Sequence, residues 1–170
     1  MAIRTMADGN VAIYILSTAP AAPDGVPTIT ELAAGINASC EVAKSGSYLR
    51  PTGSDTVNDA AFCESGNSVT YGASNFEGQL VPYLWFDPAT GKYAAADNEV
   101  LEALDTKGSQ PYVYFVEGVK KGADAVGGER IYGGHWTTDD PQPGQPGEYL
   151  RRTVPLGYIG GWIDTNLDAA

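Results

Sequence analysis

The clearest hydrophobic pattern in the chain is a short apolar stripe at helical spacing, which leads directly into a run of apolar residues. Val100, Leu101 and Leu104 form the stripe, Asp97 precedes it and Gly108 follows it. Aspartate is a favourable residue at a helix N-cap, and glycine is common just after the last helical turn. The pattern therefore predicts a capped helix that is too short to be stable alone and must pack on another part of the protein.

The run that follows the predicted helix, Tyr112 to Val116, contains only β-branched and aromatic residues. A run of this kind is typical of a strand that is covered on both faces. The segment from Asn10 to Ser17 has the same character, because neither face of its central part is polar. It predicts another strand that is buried on both sides or covered by a partner chain.

Two strand-like runs, Ala61 to Tyr71 and Asn75 to Asp87, are separated by three small residues and predict a β-hairpin. Each run has a polar face near the turn. From Leu80 to Phe86 the second run becomes apolar on both faces, so we expect the predicted helix or another chain to cover it. Pro82 within this run indicates a sheet edge, a bulge or irregular pairing.

The rest of the chain shows weaker patterns. Thr28 and Glu31 have the spacing of a capping box, which predicts a short helix. Glycine, proline and polar residues without periodicity predict loops at Lys44 to Asn58 and at Asp139 to Gly147. The remaining apolar segments predict strands at Ala38 to Ala43, Ile131 to Thr137 and Glu148 to Asp164, the last with bends at Gly160 and Gly161. These elements predict a mainly β fold, and the length is that of a single domain, residues 1–170.

The charge of the chain argues against one class of function. It carries 21 acidic and 10 basic residues, a net charge of −11, and bases are adjacent only at Lys120–Lys121 and Arg151–Arg152. Proteins that bind DNA tightly normally present a clustered basic surface, so we do not expect this chain to be one. No apolar run of about 18 residues and no signal-peptide pattern is present, so we expect no membrane span and folding in a cytoplasm.

Catalytic and metal-binding chemistry finds little support in the residues. Two cysteines and a single histidine, His135, cannot form the usual Cys/His zinc site. No nucleophile motif such as G-x-S-x-G accompanies His135, and no phosphate-, dinucleotide- or calcium-binding motif is present. Glu64 and Glu77 could face each other like a glycosidase pair, but any acidic hairpin produces such pairs by chance. We expect no enzymatic activity, metal or cofactor, and we expect Cys40 and Cys63 to be packed thiols, with their pairing left open.

The order of these features resembles a family, the major tail tube proteins of long, non-contractile-tailed (siphovirus-type) bacteriophages. The resemblance covers most of the chain. It rests on these segments, in this order: Thr28 to Ala43 (TITELAAGINASCEVA), Phe62 to Ser65 (FCES), Tyr83 to Pro88 (YLWFDP), the helix-to-strand segment that ends in Tyr112 to Gly118 (YVYFVEG), and Arg151 to Val154. We therefore expect the chain to share the fold and the role of these proteins.

The resemblance implies a β-sandwich or partial barrel flanked by one helix. Six copies would close into a ring whose inner wall is a continuous β-barrel, and stacked rings would form the conduit through which the genome leaves the virion. The implied partners are other copies of the chain, the tape measure protein and the tail terminator or tip proteins. The implied location is the virion tail, with assembly in the host cytoplasm and viral DNA that passes without specific binding.

The polar face of the predicted hairpin would suit the lumen of such a tube. A negative wall repels phosphate groups, whereas each basic contact would add a salt-dependent grip on the DNA. The solvated face of an ordinary antiparallel sheet would give the same pattern. The lumen-facing candidates are Glu64, Ser68, Thr70, Asn75, Glu77 and Gln79. The candidates for contact between subunits come from the predicted helix and the apolar run: Leu101, Leu104, Val81, Tyr83 and Trp85.

A glycan-binding β-sandwich, such as a receptor-binding or decoration domain on a virion, is the alternative. It rests on Trp85, Trp136, Trp162 and ten tyrosines, because aromatic rings stack on sugars, although they also fill cores. Rings or tubes formed by the purified protein favour the tail tube interpretation. A monomer that binds immobilised glycan favours the alternative.

Overall fold

The structure is a computed structural model that describes residues 9–58, 69–145 and 149–168 of the chain. Within these residues the α-helices are α1 (Ile29–Ala34) and α2 (Glu99–Leu104), and a short 3-10 turn, Ala95–Asp97, leads into α2. The strands are β1 (Val11–Leu16), β2 (Ile36–Asn37), β3 (Tyr48–Pro51), β4 (Thr56–Asn58), β5 (Val69–Tyr71), β6 (Phe76–Leu80), β7 (Tyr112–Glu117), β8 (Arg130–Thr138), β9 (Gln142–Pro143) and β10 (Arg152–Asn166). The prediction of a mainly β fold is confirmed.

One antiparallel sheet of eight strands has the order β2-β1-β7-β8-β10-β6-β3, with β9 beside β10, while β4 and β5 form a separate ladder. The regular ladder does not close, but the segment 36–43 links its two sides. Ala38 N–H donates to the carbonyl of Ile13 on β1 (2.8 Å), and Ala43 N–H donates to the carbonyl of Val81 just after β6 (2.9 Å). The chain from Ala38 to Ala43 can span at most about 20 Å. Because it bonds to β1 at one end and to the chain after β6 at the other, the two sides of the sheet must lie close together, and the sheet curls into a partial barrel.

Strands β1 and β7 are buried on both faces, as predicted, and their side chains enter two cores. The α2 core, which lies on the face that α2 covers, includes Ile13, Ile15, Leu49, Leu80, Leu101, Leu104, Val113, Phe115, Trp136 and Leu156. The α1 core, on the opposite face, includes Ala12, Tyr14, Leu16, Leu32, Tyr114, Val116, Ile131 and Ile163. Alternate residues of a strand point to opposite faces, so each of these strands serves both cores.

The predicted capping box is confirmed at the start of α1. Glu31 N–H donates to Thr28 Oγ1 (3.2 Å), and Thr28 N–H donates to the Glu31 carboxylate (2.7 Å). The Glu31 carboxylate also accepts a hydrogen bond from Ala21 N–H. The bond from Thr28 N–H, and then the bond from Ala21 N–H, lower the pKa of Glu31. The helix stops at Gly35, where a Cβ atom would lie 2.3 Å from Leu16 Cδ2, so only glycine allows the chain to pass β1 this closely.

Helix α2 exists as predicted, but both of its ends differ from the prediction. Asn98, not Asp97, is the N-cap, and the last helical residue is Leu104. Gly108 lies beyond the helix, where its N–H donates to the carbonyl of Thr138 (2.9 Å) and ties the chain to the end of β8. Lys107 lies beyond the helix as well, and its Nζ forms an ion pair with Asp139 Oδ1 (2.8 Å). Contacts with β8 therefore end the helix earlier than its own sequence predicts.

The predicted hairpin is wrong in its pairing. Strand β5 pairs with β4, and β6 pairs with β3 on one side and with β10 on the other. The predicted loop at Lys44 to Asn58 is wrong for the same reason, because it contains β3 and β4. These short strands have little periodicity of their own, and pairing with distant segments decides their conformation.

Three smaller differences concern strand bounds. The strand predicted at Ala38 to Ala43 is wrong, because the strand in this region is β2, which ends at Asn37, just before the predicted segment. The predicted loop at Asp139 to Gly147 contains the two-residue strand β9. The last predicted strand is confirmed as β10, whose register against β8 shifts between Tyr158 and Gly160 and again between Gly160 and Ile163, where bends were expected.

Candidate functional site

Three of the four described lumen-facing candidates, Asn75, Glu77 and Gln79, lie on or next to β6, which pairs with β3. Asn75 Nδ2 donates to Asp55 Oδ1 (3.1 Å), and Gln79 Nε2 donates to the carbonyl of Gly46 (2.7 Å). Glu77 forms a half-exposed ion pair with Arg50 across β3 and β6 (2.5 Å), so its charge is offset locally. Thr70 belongs to β5. Glu64 and Ser68 lie outside the described residues, so the polar face remains a prediction.

The candidates for subunit contact divide into two groups. Val81, Leu101 and Leu104 are at most 5% exposed, and their side chains fill the interior of the subunit. Leu101 and Leu104 belong to the α2 core of the same subunit, and a role of these three residues in contact between subunits stays a prediction. Tyr83 is half-buried and Trp85 is 47% exposed, so both keep accessible surface.

Trp85 and Phe86 are adjacent in the chain, and Phe86 forms an antiparallel β-bridge with Tyr93. We call these three exposed aromatic residues the aromatic patch. The Phe86 and Tyr93 rings meet edge to face, with centroids 6.1 Å apart. The Tyr93 hydroxyl donates to Glu102 Oε1 on α2 (2.8 Å). Partial burial, and then this carboxylate, raise the pKa of Tyr93 to about 12. Sequence reasoning assigned Phe86 to a strand face and passed over Tyr93, because exposed and core aromatics look alike in a single sequence.

Asn98 fixes the aromatic patch to the start of α2. Its side chain is 1% exposed and makes no helix-capping bond. Instead Oδ1 accepts from Trp85 N–H (2.9 Å), while Nδ2 donates to the carbonyls of Trp85 (2.9 Å) and Ala94 (2.7 Å). The amide thus pairs with the Trp85 backbone as a neighbouring strand would. Nothing in the local sequence signals this contact.

The outer face of α2, which we call the acidic face, carries four exposed carboxylates: Asp97, Glu99, Glu102 and Asp105. Glu41 lies beside it on the linking segment. Its pKa is raised by burial first and by the charge of Glu99 next, although a hydrogen bond from the Val100 backbone works in the opposite direction. Glu41 therefore lies close enough to Glu99 for the two carboxylates to repel each other, although burial is the larger cause of the rise in its pKa.

A groove of about 760 Å³ opens beside the first residues of β1 and the chain that follows β7. Its floor is mainly apolar and includes Ile13, Phe115 and Tyr132. Three lysines stand among its lining residues, Lys44, Lys120 and Lys121, and none of the described residues that line it is acidic. We call it the lysine groove. Sequence reasoning noted the adjacent lysines but could not place them beside an apolar floor.

Strand β10 presents a long edge. Its residues Val154 to Leu156 pair with β6, whereas Leu156 to Asn166 pair only with β8. Phe76, the first residue of β6, still lies against Tyr158, but from Ile159 to Asn166 the edge that faces away from β8 has no strand beside it in the described part of the chain. Ile159 lies on this stretch and is 44% exposed. Unpaired backbone groups along such an edge form a template for another strand.

The residues that suggested other chemistry are dispersed. Trp136 is fully buried in the α2 core and Trp162 is half-buried against Phe76, so the three tryptophans share no exposed sugar-binding platform. His135 stacks on Tyr112, with ring centroids 4.3 Å apart. Among the described residues, no three His, Cys, Asp or Glu side chains converge as metal ligands would.

The cysteine prediction is wrong for Cys40. Cys40 is exposed rather than packed, because it stands on the turn that links the two sides of the sheet. Cys63 lies outside the described residues, so the pairing of the two cysteines stays open. No helix in the described residues is long and apolar enough to span a bilayer.

Comparison with known proteins adds one match of nearly full length. A family model for phage tail tube proteins matches residues 1–166 of the chain. No curated protein matches the chain in sequence.

Proposed function

Because the chain belongs to the phage tail tube protein family, we propose that it closes into six-membered rings that stack into the tube through which the phage genome is delivered. Membership makes it a structural protein of the virion tail that assembles with copies of itself. The ring, its six-fold closure and the conduit are the finer proposal. We include in it a non-contractile tail, a single domain over residues 1–170 and the absence of catalysis.

The unpaired edge of β10 is the observation that carries this proposal. Among the described residues, an open edge of eight residues, Ile159 to Asn166, would be an aggregation hazard in a protein that acts alone. Pairing with a strand of the next subunit satisfies the edge, and closure of the ring leaves no edge free. Strand β3, which pairs with β6, ends the sheet order and presents a second edge to which a strand of a neighbour can add.

Charge supports the passage of DNA through the tube. Duplex DNA carries one negative charge per about 1.7 Å, so a wall without clustered bases lets it slide. The net charge of −11 suits this role. We keep as the proposed lumen face the polar positions Glu64, Ser68, Thr70, Asn75, Glu77 and Gln79. The tape measure protein and the terminator or tip proteins are proposed partners, and assembly in the host cytoplasm is proposed as well.

Electron microscopy and sedimentation velocity of the purified protein at rising concentration test the proposal. We expect rings with six-fold symmetry that stack into tubes. A protein that remains monomeric at every accessible concentration would overturn the proposal.

A charge placed on the β10 edge tests the observation itself. Ile159→Lys puts a hydrated ammonium group where the next strand is expected, so rings should be lost while the melting temperature stays unchanged. Val126→Lys is the matched control, because Val126 is 70% exposed and lies in the loop before β8. Rings that form equally well with Ile159→Lys would show that this edge is not the seam.

A further inference from the structure

We propose that the lysine groove of one subunit receives the aromatic patch and the acidic face of α2 from a neighbouring copy of this chain. The inference rests on the self-assembly proposed above and names the two surfaces that form one of its contacts. Both surfaces are built entirely from described residues, and they share no residue with each other.

The apolar floor of the lysine groove calls for an apolar guest. A volume of about 760 Å³ falls within the range of about 300–1,000 Å³ over which proteins enclose sizeable ligands, so several side chains fit. Phe115 and Tyr132 supply aromatic surface on the floor. The aromatic patch offers a guest of matching chemistry, since its three rings are each between 41% and 47% exposed.

The charges of the two surfaces also favour this pairing. Lys120 and Lys121 are exposed, and neither makes an ion pair with any described residue. The chain has twice as many acids as bases, yet the described lining of the groove is purely basic where it is charged. The acidic face places Glu102 and Asp105 near Tyr93, so the patch carries a negative rim that matches the positive rim of the groove. Such complementarity fixes the register of a contact and speeds its formation.

The patch is already held in its binding form. Tyr93 is fixed by Phe86 and Glu102, and the Trp85 backbone is fixed by Asn98. Rigid tryptophan and tyrosine side chains lose little entropy on binding and are the residues that most often dominate protein interfaces. A contact between two different surfaces of identical subunits is heterologous, and such contacts build rings or filaments, as a tube requires.

Charge reversal tests the pairing. The groove variant is Lys120→Glu with Lys121→Glu, and the helix variant is Asp97→Lys with Glu99→Lys and Asp105→Lys, which turns the charge of the acidic face from negative to positive. Glu102 is left unchanged because it holds Tyr93. In either variant alone like charges meet, so we expect at least a tenfold rise in the protein concentration needed for assembly. In an equimolar mixture, alternating subunits bring opposite charges together at every contact, so assembly should return.

Matched controls separate this inference from the proposed function. Lys120→Arg with Lys121→Arg keeps the charge and should assemble like the unchanged protein, and circular dichroism melts establish that all variants fold. Normal assembly of either reversed variant alone would overturn the pairing, as would a folded mixture that fails to assemble. If the unchanged protein forms neither rings nor tubes, the failure belongs to the proposed function instead.

Discussion

Replacing Asn98 with alanine tests whether one buried amide holds the aromatic patch against α2. The side chain makes three hydrogen bonds of 2.7 to 2.9 Å, two to the Trp85 backbone and one to the carbonyl of Ala94. Alanine removes all three and supplies no replacement. Because Asn98 makes no helix-capping bond, the change reports on these contacts and not on capping.

The expected loss of stability follows from the number of bonds. Each intramolecular hydrogen bond contributes a net of about 0.5–1.5 kcal/mol, so three contribute about 1.5–4.5 kcal/mol. Trp85 is 47% exposed, so water can reach part of the released backbone, and we expect a loss of about 2–3 kcal/mol. Asn98→Asp keeps the acceptor for Trp85 N–H but sets a carboxylate against two carbonyl oxygens. Its loss should be at least as large near neutral pH and smaller in acid, where a protonated carboxyl group can donate.

Denaturant unfolding at a concentration below assembly measures the loss, and hydrogen exchange of the Trp85 amide localises it. Exchange at Trp85 should accelerate more than exchange in β1 or β7. Gln110→Ala, at an exposed position, is the control and should change little. A loss below about 0.5 kcal/mol for Asn98→Ala, or an Asn98→Asp variant as stable as the unchanged protein, would refute the reasoning.

Two further predictions concern single residues. Glu41→Gln should raise the melting temperature at alkaline pH, because burial and the charge of Glu99 raise the pKa of Glu41 in the folded protein. The folded state then binds the proton more tightly than the unfolded chain, so stability falls as pH rises; a gain that is equal at acid and alkaline pH in thermal melts would contradict this. Gly133→Ala should cost more than about 3 kcal/mol in denaturant unfolding, since its Cβ would lie 2.1 Å from the carbonyl oxygen of Val113. Gly91→Ala also requires a positive φ (+65°, against +151° at Gly133) but meets open space, so it should cost only about 1–2 kcal/mol; a loss as large as that of Gly133→Ala would show that the close approach is not the cause.

Elements with a strong local signal were predictable from the sequence. The capping box at Thr28 and Glu31, the stripe of α2 and the two-sided runs of β1 and β7 depend on neighbours within a few residues. Their patterns therefore survive in the folded protein. The bends in β10 belong to the same class, because Gly160 and Gly161 mark a place where regular pairing is costly.

Strand partners and surfaces were not predictable, because they depend on distant residues. The polar alternation of β6 is the same whether its neighbour is β5 or β3, and only the fold selects β3. The apolar run after β6 likewise contains Val81 in the core and Trp85 on the surface. The lysine groove draws on β1, β7, β8 and the linking segment, so no single stretch of sequence contains it.

The order in which the sheet can form has a consequence for the timing of assembly. Strand β1 pairs along its whole length with β7, about a hundred residues further along the chain, so a ribosome must make most of the protein before this pairing can form. Folding through contacts of such long sequence separation is slow. Strand β10 comes later still, and a nascent chain that lacks it also lacks the edge on which we base the ring. If the ring closes through this edge, an incomplete chain cannot join a growing tail.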